Sequence, residues 1–424
     1  MTLAVGVDLG TSGCRAIAVD SDDRSIVAQA RVSLPASQKT PEGVSEQNPA
    51  DWWQGVRQVL HELTGDLKGH RIDAIAVDGT SATLLLTDAD GDPLTAALMY
   101  DDTRAQDLLP RIAAAAPEES PVHSAGSSLA KLLHLIDHFA LPIGYRVVHQ
   151  ADWITGRLLG RYDFSDENNA LKLGYDPIHR RWPQWMEALG IDMETLPEVV
   201  PAGRRLGVIS SAAAKATGLS EGTKVIAGTT DSTAAFLATG AQQPGDAVTS
   251  LGSTLVLKIL SEIPIADTSR GVYSHRLGDR WLVGGASNSG GAVLARFFDD
   301  EAMTRLSKAL TPDHPTDLDY YPLLKPGERF PINDPNYPPR LTPRPEDDRL
   351  FFQALLEGIA RIEQQGYALL QELGAPAPRR ILTTGGGARN EPWRRIRERL
   401  LGVPVSAASQ QEAAYGAALL ALSE

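Results

Sequence analysis

Val5-Gly6-Val7-Asp8-Leu9-Gly10-Thr11-Ser12-Gly13-Cys14-Arg15-Ala16-Ile17-Ala18-Val19-Asp20 is an apolar run that ends on a carboxylate, a Gly-flanked pair of hydroxyls, and a second apolar run that returns. The pattern predicts a β-hairpin with a polar tip. Gly10 and Gly13 allow positive φ and leave backbone N–H groups uncovered, while Thr11 and Ser12 add hydroxyl donors, so the tip can surround an anion such as a phosphate. A carboxylate as near as Asp8 repels a phosphate unless a divalent cation lies between them, so carboxylate and cradle fit together around Mg2+. The same residues also suit a tight hairpin that merely begins with Asp; on this stretch alone both readings stand.

The chain then repeats itself. Ala247-Val248-Thr249-Ser250-Leu251-Gly252-Ser253-Thr254-Leu255-Val256-Leu257-Lys258-Ile259-Leu260 has the same strand, Gly-hydroxyl turn and returning strand, and Leu251-Gly252-Ser253-Thr254 echoes Leu9-Gly10-Thr11-Ser12. Two hairpins imply two halves. Ser250 stands where the first copy has Asp8, so only the first copy is equipped to hold a metal.

A chain of 424 residues is long enough for two domains with separate cores, and 42% hydrophobic with 22% charged residues is the composition of a globular enzyme. A formal net charge of −13 repels nucleic acid and anionic bilayers over most of the surface, leaving small phosphorylated ligands in a local pocket. Cys14 is the single cysteine, which excludes an intramolecular disulfide and a Cys-based metal site and suits the cytosol. The N-terminus lacks a basic flank and reaches Asp8 before a signal-length apolar stretch forms, and no later run is long enough to span a bilayer. A cytoplasmic protein is expected, with a plastid location only if a transit peptide precedes this sequence.

Along the chain, Ile26 to Leu34 reads as a third antiparallel strand, and Asn48 as the N-cap of a helix with Pro49 in its first turn, running to about Leu63. Trp52 and Trp53 read as packing residues rather than a ligand platform. Arg71 to Val77 is a buried-type strand stopping at Asp78-Gly79-Thr80-Ser81. The acidic turn Asp88 to Asp92 lacks the Gly and the distal Glu of a calcium loop and reads as a hairpin turn. His134 and His138 share one helix face without an intervening Glu and read as solvated. Asp166 to Tyr175 is more polar than any regular element needs.

Lys224 to Gly228 is a strand ending at Thr229-Thr230-Asp231, followed by an Ala-rich helix. Asp231 could be only an N-cap, yet a strand-end Asp just before the second hairpin falls where a catalytic base would belong. Ser287-Asn288-Ser289-Gly290-Gly291 joins a strand to a helix but has no P-loop Lys. Pro326 to Pro345 reads as a surface loop, and Asp347 to Leu373 as one long amphipathic helix stopped by Gly374. Thr384-Gly385-Gly386-Gly387 with Asn390 lacks the third small residue of a dinucleotide fingerprint, but suits a nucleotide against bare backbone, with Asn390 as a cap or as a contact to base or ribose. The small residues of Ala413 to Ala418 allow close helix packing.

In this order the motifs resemble the FGGY carbohydrate kinases over nearly the whole chain. They are Asp8-Leu9-Gly10-Thr11-Ser12, Glu46-Gln47-Asn48-Pro49 with Trp52-Trp53, Asp78-Gly79-Thr80-Ser81, Asp102 with Arg104, Gly228-Thr229-Thr230-Asp231, Gly252-Ser253-Thr254, Gly385-Gly386-Gly387 with Asn390, and Glu412 to Ala418. The resemblance implies an α/β, two-domain actin-like or hexokinase-type ATPase fold (ribonuclease H-like) with a cleft between domains. A sugar-binding domain would span residues 1–238 plus the returning helix at 412–424, and an ATP-binding domain residues 239–411.

By the same resemblance, ATP is the cosubstrate and Mg2+ the cofactor. Asp231 would be the general base and Asp8 would hold the metal through water. Thr11 and Ser253 would face the terminal phosphates, Gly252, Thr254 and Gly291 would complete that cradle, and Gly385, Gly386 and Asn390 would take the α-phosphate and nucleoside. Ser12, Asp78, Thr80, Ser81 and Asp231 offer hydroxyls and carboxylates without a cationic clamp, which favours a neutral polyhydroxylated substrate. Thr80 replaces the Arg-Glu pair that glycerol kinases use, and their Tyr is missing from Ser127 to Lys131. The compact length and the Asp78-to-Ser81 and Asn168-to-Tyr175 stretches look most like cyanobacterial and plant kinases of D-ribulose, so D-ribulose is expected first, with phosphate going to the 5-hydroxyl. D-xylulose or a pentitol, or a non-kinase ATP-binding sugar sensor, are the alternatives, and a monomer or homodimer is expected.

Overall fold

The structure, a computed structural model, describes residues 2–67 and 70–423; the outer ends of the expected domains, Met1 and Glu424, lie outside the described residues. The chain divides into two compact units, Met1–Ala238 with His275–Gly278 and Glu412–Glu424, and Thr239–Ser274 with Asp279–Gln411.

In the first unit the opening stretch folds as the antiparallel pair β1 (Leu3–Leu9) and β2 (Gly13–Asp20), with Asp8 opposite Arg15. Strand β3 (Ile26–Ser33) continues the meander. Helix α1 (Pro49–Asp66) starts where the Asn48 side chain accepts from the Ala50 N–H, and it buries Trp52, Val56, Val59, Leu60 and Leu63 at helical spacing against the sheet. Trp52 is fully buried and donates to Gln47 Oε1 at 2.8 Å, and the Arg157 guanidinium lies over Trp53, so both rings pack. Strand β4 (Ile72–Gly79) runs parallel to β1, β5 (Arg205–Val208) lies at the edge, and β6 (Lys224–Thr230) runs parallel to β4. The sheet order is β5-β6-β4-β1-β2-β3. Helices α2 (Ser128–His138), α3 (Gln150–Leu159) and α4 (Asp231–Ala238) complete what this unit contributes to the site.

The second unit repeats the plan. Its hairpin is β7 (Asp246–Leu251) with β8 (Leu255–Ser261), followed by β9 (Tyr273–Leu277), β10 (Arg280–Ser287), β11 (Arg380–Thr384) and β12 (Val405–Ala407) in the order β9-β10-β8-β7-β11-β12. Strands β10-β8-β7 are antiparallel and β7-β11-β12 parallel, the pattern that β3-β2-β1 and β1-β4-β6 have in the first unit. The repeated hairpin is therefore the visible part of a repeated sheet. Helices α5 (Gly291–Phe297), α6 (Asp348–Glu372) and α7 (Glu391–Leu401) belong to this unit, with α6 capped by Asp347 and Gly374 in the left-handed region just beyond its end.

One expectation is corrected here. Pro326 to Pro345 is not merely a surface loop: Phe330 is fully buried, and a Cβ at Gly285 or Gly366 would come within 2.3 or 2.7 Å of its ring. Burying an aromatic ring outweighs the polarity of the flanking loop because the backbone finds partners, Glu328 and Asp334 exchanging both N–H···O bonds.

Helix α8 (Ala413–Ala421) returns to the first unit. A Cβ on Gly6 of β1 would sit 1.9 Å from Ala414 O, and one on Gly416 would sit 1.8 Å from Ala234 O. Both glycines are required because backbone packs on backbone. Among the described residues no helix is long and apolar enough to cross a membrane.

Candidate active site

Three carboxylates stand at the ends of three adjacent parallel strands of the first unit. Asp8 and Asp78 are register partners near the ends of β1 and β4, Thr229 of β6 pairs with Asp78, and Asp231 follows β6 directly as the first residue of α4. The carboxyl ends of strands in such a sheet are where α/β proteins bind ligands. Asp78 is fully buried, and neither of its oxygens receives a hydrogen bond from a donor. Burial, then the charges of Asp8 and Asp231, push the Asp78 carboxyl well above the usual carboxylate range. Burial also raises Asp8, with the hydrogen bond from Asp78 acting against that rise. Asp231 Oδ1 accepts from the adjacent Ser232 N–H at 2.5 Å, and the residue stands half-exposed at the strand end.

Among the expected sugar contacts, Ser12 is exposed and Ser81 half-exposed. Thr80 is not in the same condition. It is buried, its N–H and hydroxyl both donate to Gln150 Oε1 at 2.9 and 2.7 Å, and its hydroxyl also meets Thr83 Oγ1 at 2.6 Å. Thr80 therefore braces the loop instead of facing a ligand, a correction to the expected role. The loop has a second brace, one the motifs do not reveal. Lys131, fully buried in α2, donates to Ala82 O at 2.8 Å and Gly126 O at 3.0 Å, and Ala82 is held at φ +66°. Burial pushes the Lys131 amine down to about 7, and the charge of Asp102 opposes it only in part.

The polar stretch after Asp166 is a knot that supports β6. Asp166 accepts from the Asn168 N–H at 2.8 Å and from Asn169 Nδ2 at 2.6 Å, and Asn168 Nδ2 donates to Thr229 Oγ1 at 3.0 Å, two residues before Asp231. The tip of the first hairpin is tied through its carbonyls, with Gln47 Nε2 donating to Thr11 O at 2.7 Å and the Leu34 N–H to Ser12 O at 2.9 Å, while Thr11 stays half-exposed and Ser12 exposed.

In the second unit three glycine-bearing turns lie on one another. The Gly291 and Ala292 N–H groups donate to Gly252 O and Ser253 O at 2.8 and 3.1 Å. Gly290, at φ +145°, lies so close that a Cβ would meet Ser253 O and Thr254 Cα at 2.8 Å, and a Cβ on Gly385 would meet Leu251 O at 2.6 Å. Gly252, Ser253, Thr254, Gly291 and Gly385 are thus brought together. Gly386 has nothing within 4 Å of the space a Cβ would fill, which leaves its backbone open for a ligand. Asn390 is committed as a cap: its Oδ1 accepts from the Trp393 N–H at 3.1 Å and its Nδ2 donates to Ser307 Oγ at 2.9 Å. Of the two roles the sequence allowed it, the structure fills the first.

Beneath the turns, the buried Arg397 guanidinium clasps Glu363 at 2.6 and 2.7 Å and donates to Thr383 Oγ1 at 2.7 Å, while Thr249 Oγ1 donates to Glu363 at 2.6 Å. This pair joins β7, β11, α6 and α7, and only its buried geometry distinguishes these residues from surface charges. Among the described residues no group of three or more His, Cys, Asp or Glu is arranged to hold a metal ion. A single half-buried carboxylate such as Asp8 fits Mg2+, which keeps several waters and takes one or two carboxylates together with substrate phosphates.

Residues 3–238 match the N-terminal domain of the FGGY family of carbohydrate kinases and residues 247–424 match its C-terminal domain. The chain is 27% identical to the xylulose kinase of Bacillus subtilis over 99% of its own length and 88% of the relative's. It is 26% identical to the erythritol kinase of Brucella abortus over 99% of its length and 86% of the relative's. The crystal structure of xylulose kinase from Rhodospirillum rubrum superposes with a TM-score of 0.88 at 28% identity, covering 99% of this chain and 89% of that one.

Proposed function

The chain belongs to the FGGY family of carbohydrate kinases, and from that premise we propose that it transfers the γ-phosphoryl group of ATP to the terminal hydroxyl of a free ketopentose. The observation that carries the reading is the trio of Asp8, Asp78 and Asp231 at neighbouring strand ends, with the Ser81 hydroxyl in the loop that follows Asp78. Arg15, the cation opposite Asp8, is drawn to Glu412. A neutral polyol suits such a cluster of carboxylates, whereas a sugar phosphate would bring a dianion against them.

Asp231 accepts the proton of the attacking hydroxyl as the phosphoryl group transfers. Asp78, on the strand between that of Asp8 and the one that Asp231 follows, is pushed well above the usual carboxylate range by burial and by their charges, which disfavours a further negative charge in the trio. Asp8 would hold Mg2+, which when bound would supply charge neutralisation for the phosphates of the nucleotide. The stacked turns at 252–254, 290–291 and 385–386 offer backbone to the phosphates, and the Ser253 hydroxyl acts as a further donor.

D-xylulose leads as substrate, because xylulose kinases are among the relatives that align over nearly the whole chain. This reverses the order expected from the motifs, in which D-ribulose came first. D-ribulose remains the second reading on the strength of Asp78-Gly79-Thr80-Ser81. A coupled ADP-release assay across D-xylulose, D-ribulose, aldopentoses, erythritol and pentitols tests both. The highest kcat/KM is expected with D-xylulose; a higher value with D-ribulose restores the other order, and no stimulation by any sugar overturns the ketopentose reading in favour of a sugar-sensing ATP-binding protein.

A further inference from the structure

Glu328 is only 2% exposed, yet all the donors it meets are uncharged. Its Oε2 accepts from Ser287 Oγ at 2.6 Å and Tyr321 OH at 3.0 Å, and its Oε1 from the N–H groups of Asn288 at 2.7 Å, Arg329 at 2.9 Å and Phe330 at 3.4 Å. A carboxylate taken out of water is retained only where such donors replace its hydration.

What it grips is the start of the turn that overlies the second hairpin. Ser287 ends β10 and Asn288 follows it, and Asn288 Nδ2 reaches back to Gly327 O at 3.1 Å. The Ser287 hydroxyl that donates to Glu328 also accepts from the Ser289 N–H at 3.0 Å. Beyond it, Ser289 O accepts from the Leu255 N–H at 2.7 Å and the Gly291 N–H donates to Gly252 O at 2.8 Å. The chain of contacts thus runs from Glu328 through Ser287 and Asn288 to both ends of Gly252-Ser253-Thr254. Ser289 Oγ is buried in the same turn without a partner, so side-chain hydrogen bonds of its own do not fix it.

We propose that Glu328 is the positioning residue of the nucleotide cradle, fixing the 287–291 turn so that the backbone at 252–254 and 291 is set for the ATP phosphates before ATP arrives. The proposal rests on the ATP reading given above and adds to it a residue that touches neither substrate. Preset donors spare the nucleotide the cost of ordering them, so loosening the clamp weakens ATP binding and leaves the sugar site in the other unit unaffected.

The test measures binding of the β,γ-imido analogue of ATP, with Mg2+ and without sugar, by titration calorimetry. Glu328→Gln keeps the shape but loses one acceptor, and Ser287→Ala removes the donor that lies on the turn. Tyr321→Phe removes a donor to the same carboxylate that lies off the turn. Expected are an affinity loss of about 10-fold for Glu328→Gln and about 5-fold for Ser287→Ala, with Tyr321→Phe and the sugar KM of all three within about twofold of wild type. Unchanged affinity in Glu328→Gln overturns the proposal, as does equal loss in Ser287→Ala and Tyr321→Phe, or a parallel loss of sugar affinity, each of which marks a purely structural role. Should Glu328→Gln fail to fold, the Ser287 and Tyr321 variants decide alone. A wild-type chain that does not bind the analogue overturns the ATP reading itself, which separates the two failures.

Discussion

Thr80 gives both its backbone N–H and its hydroxyl to one oxygen of Gln150, at 2.9 and 2.7 Å. That oxygen is thereby saturated, and the hydroxyl next to Asp78 that the sequence offers to a sugar is already used. Thr80→Val is expected to lower stability by about 1 to 2 kcal/mol in urea denaturation while sugar KM stays within about twofold. Ser81→Ala should do the opposite, leaving stability near wild type and raising sugar KM about 10-fold. A raised KM in Thr80→Val would return that residue to the sugar site.

Asp231 tests the chemistry. Asp231→Asn retains an acceptor for the Ser232 N–H but has no basic oxygen for the sugar proton. A fall in kcat of about 10² or more is expected, with affinity for the ATP analogue little changed. Turnover near wild type would remove Asp231 from the role of base.

Asp8 tests the metal. Because it is half-buried at a strand end, Asp8→Ala should leave folding largely intact and raise the Mg2+ concentration for half-maximal activity about 10-fold. An unchanged Mg2+ titration would place the metal elsewhere.

Lys131 gives a stability signature in pH. Burial holds its amine at about 7 against 10.5 in the unfolded chain, with Asp102 and Asp101 opposing the shift and Lys172 and Arg104 adding to it. Between these values the unfolded chain binds more protons, so this residue's contribution is fully present above about 10.5, is lost as pH falls toward 7, and is flat below that. Wild type should therefore gain about 2 kcal/mol relative to Lys131→Met between pH 7 and 9. Parallel stability curves for the two proteins would show that Lys131 does not titrate there.

Two glycines separate packing from ligand binding. Gly6→Ala drives a Cβ to 1.9 Å from Ala414 O and should cost about 3 kcal/mol or more, read as a lowered Tm. Gly386→Ala enters open space, so its Tm should hold while KM for ATP rises. A Gly386→Ala enzyme with normal ATP kinetics would show that the nucleotide does not approach that backbone.

The contrast between these residues marks how far the sequence reaches. Asp8, the two Gly-hydroxyl turns and Asp231 were legible because each is local: an apolar run, a carboxylate and a glycine within a few residues specify a strand end and its turn. The repetition of that pattern also gave the doubled plan, since the same hairpin seeds the same sheet twice. What side chains do after the chain has folded back was not legible. Thr80 is satisfied by a partner 70 positions away, Asn390 by one 83 away, and Ser287 by a glutamate 41 away within a loop that reads as surface. A hydroxyl or carboxamide has the same chemistry whether it faces a ligand or the core. Only the tertiary contacts decide which, because a buried donor must be paired within the fold before it can be offered to anything outside it.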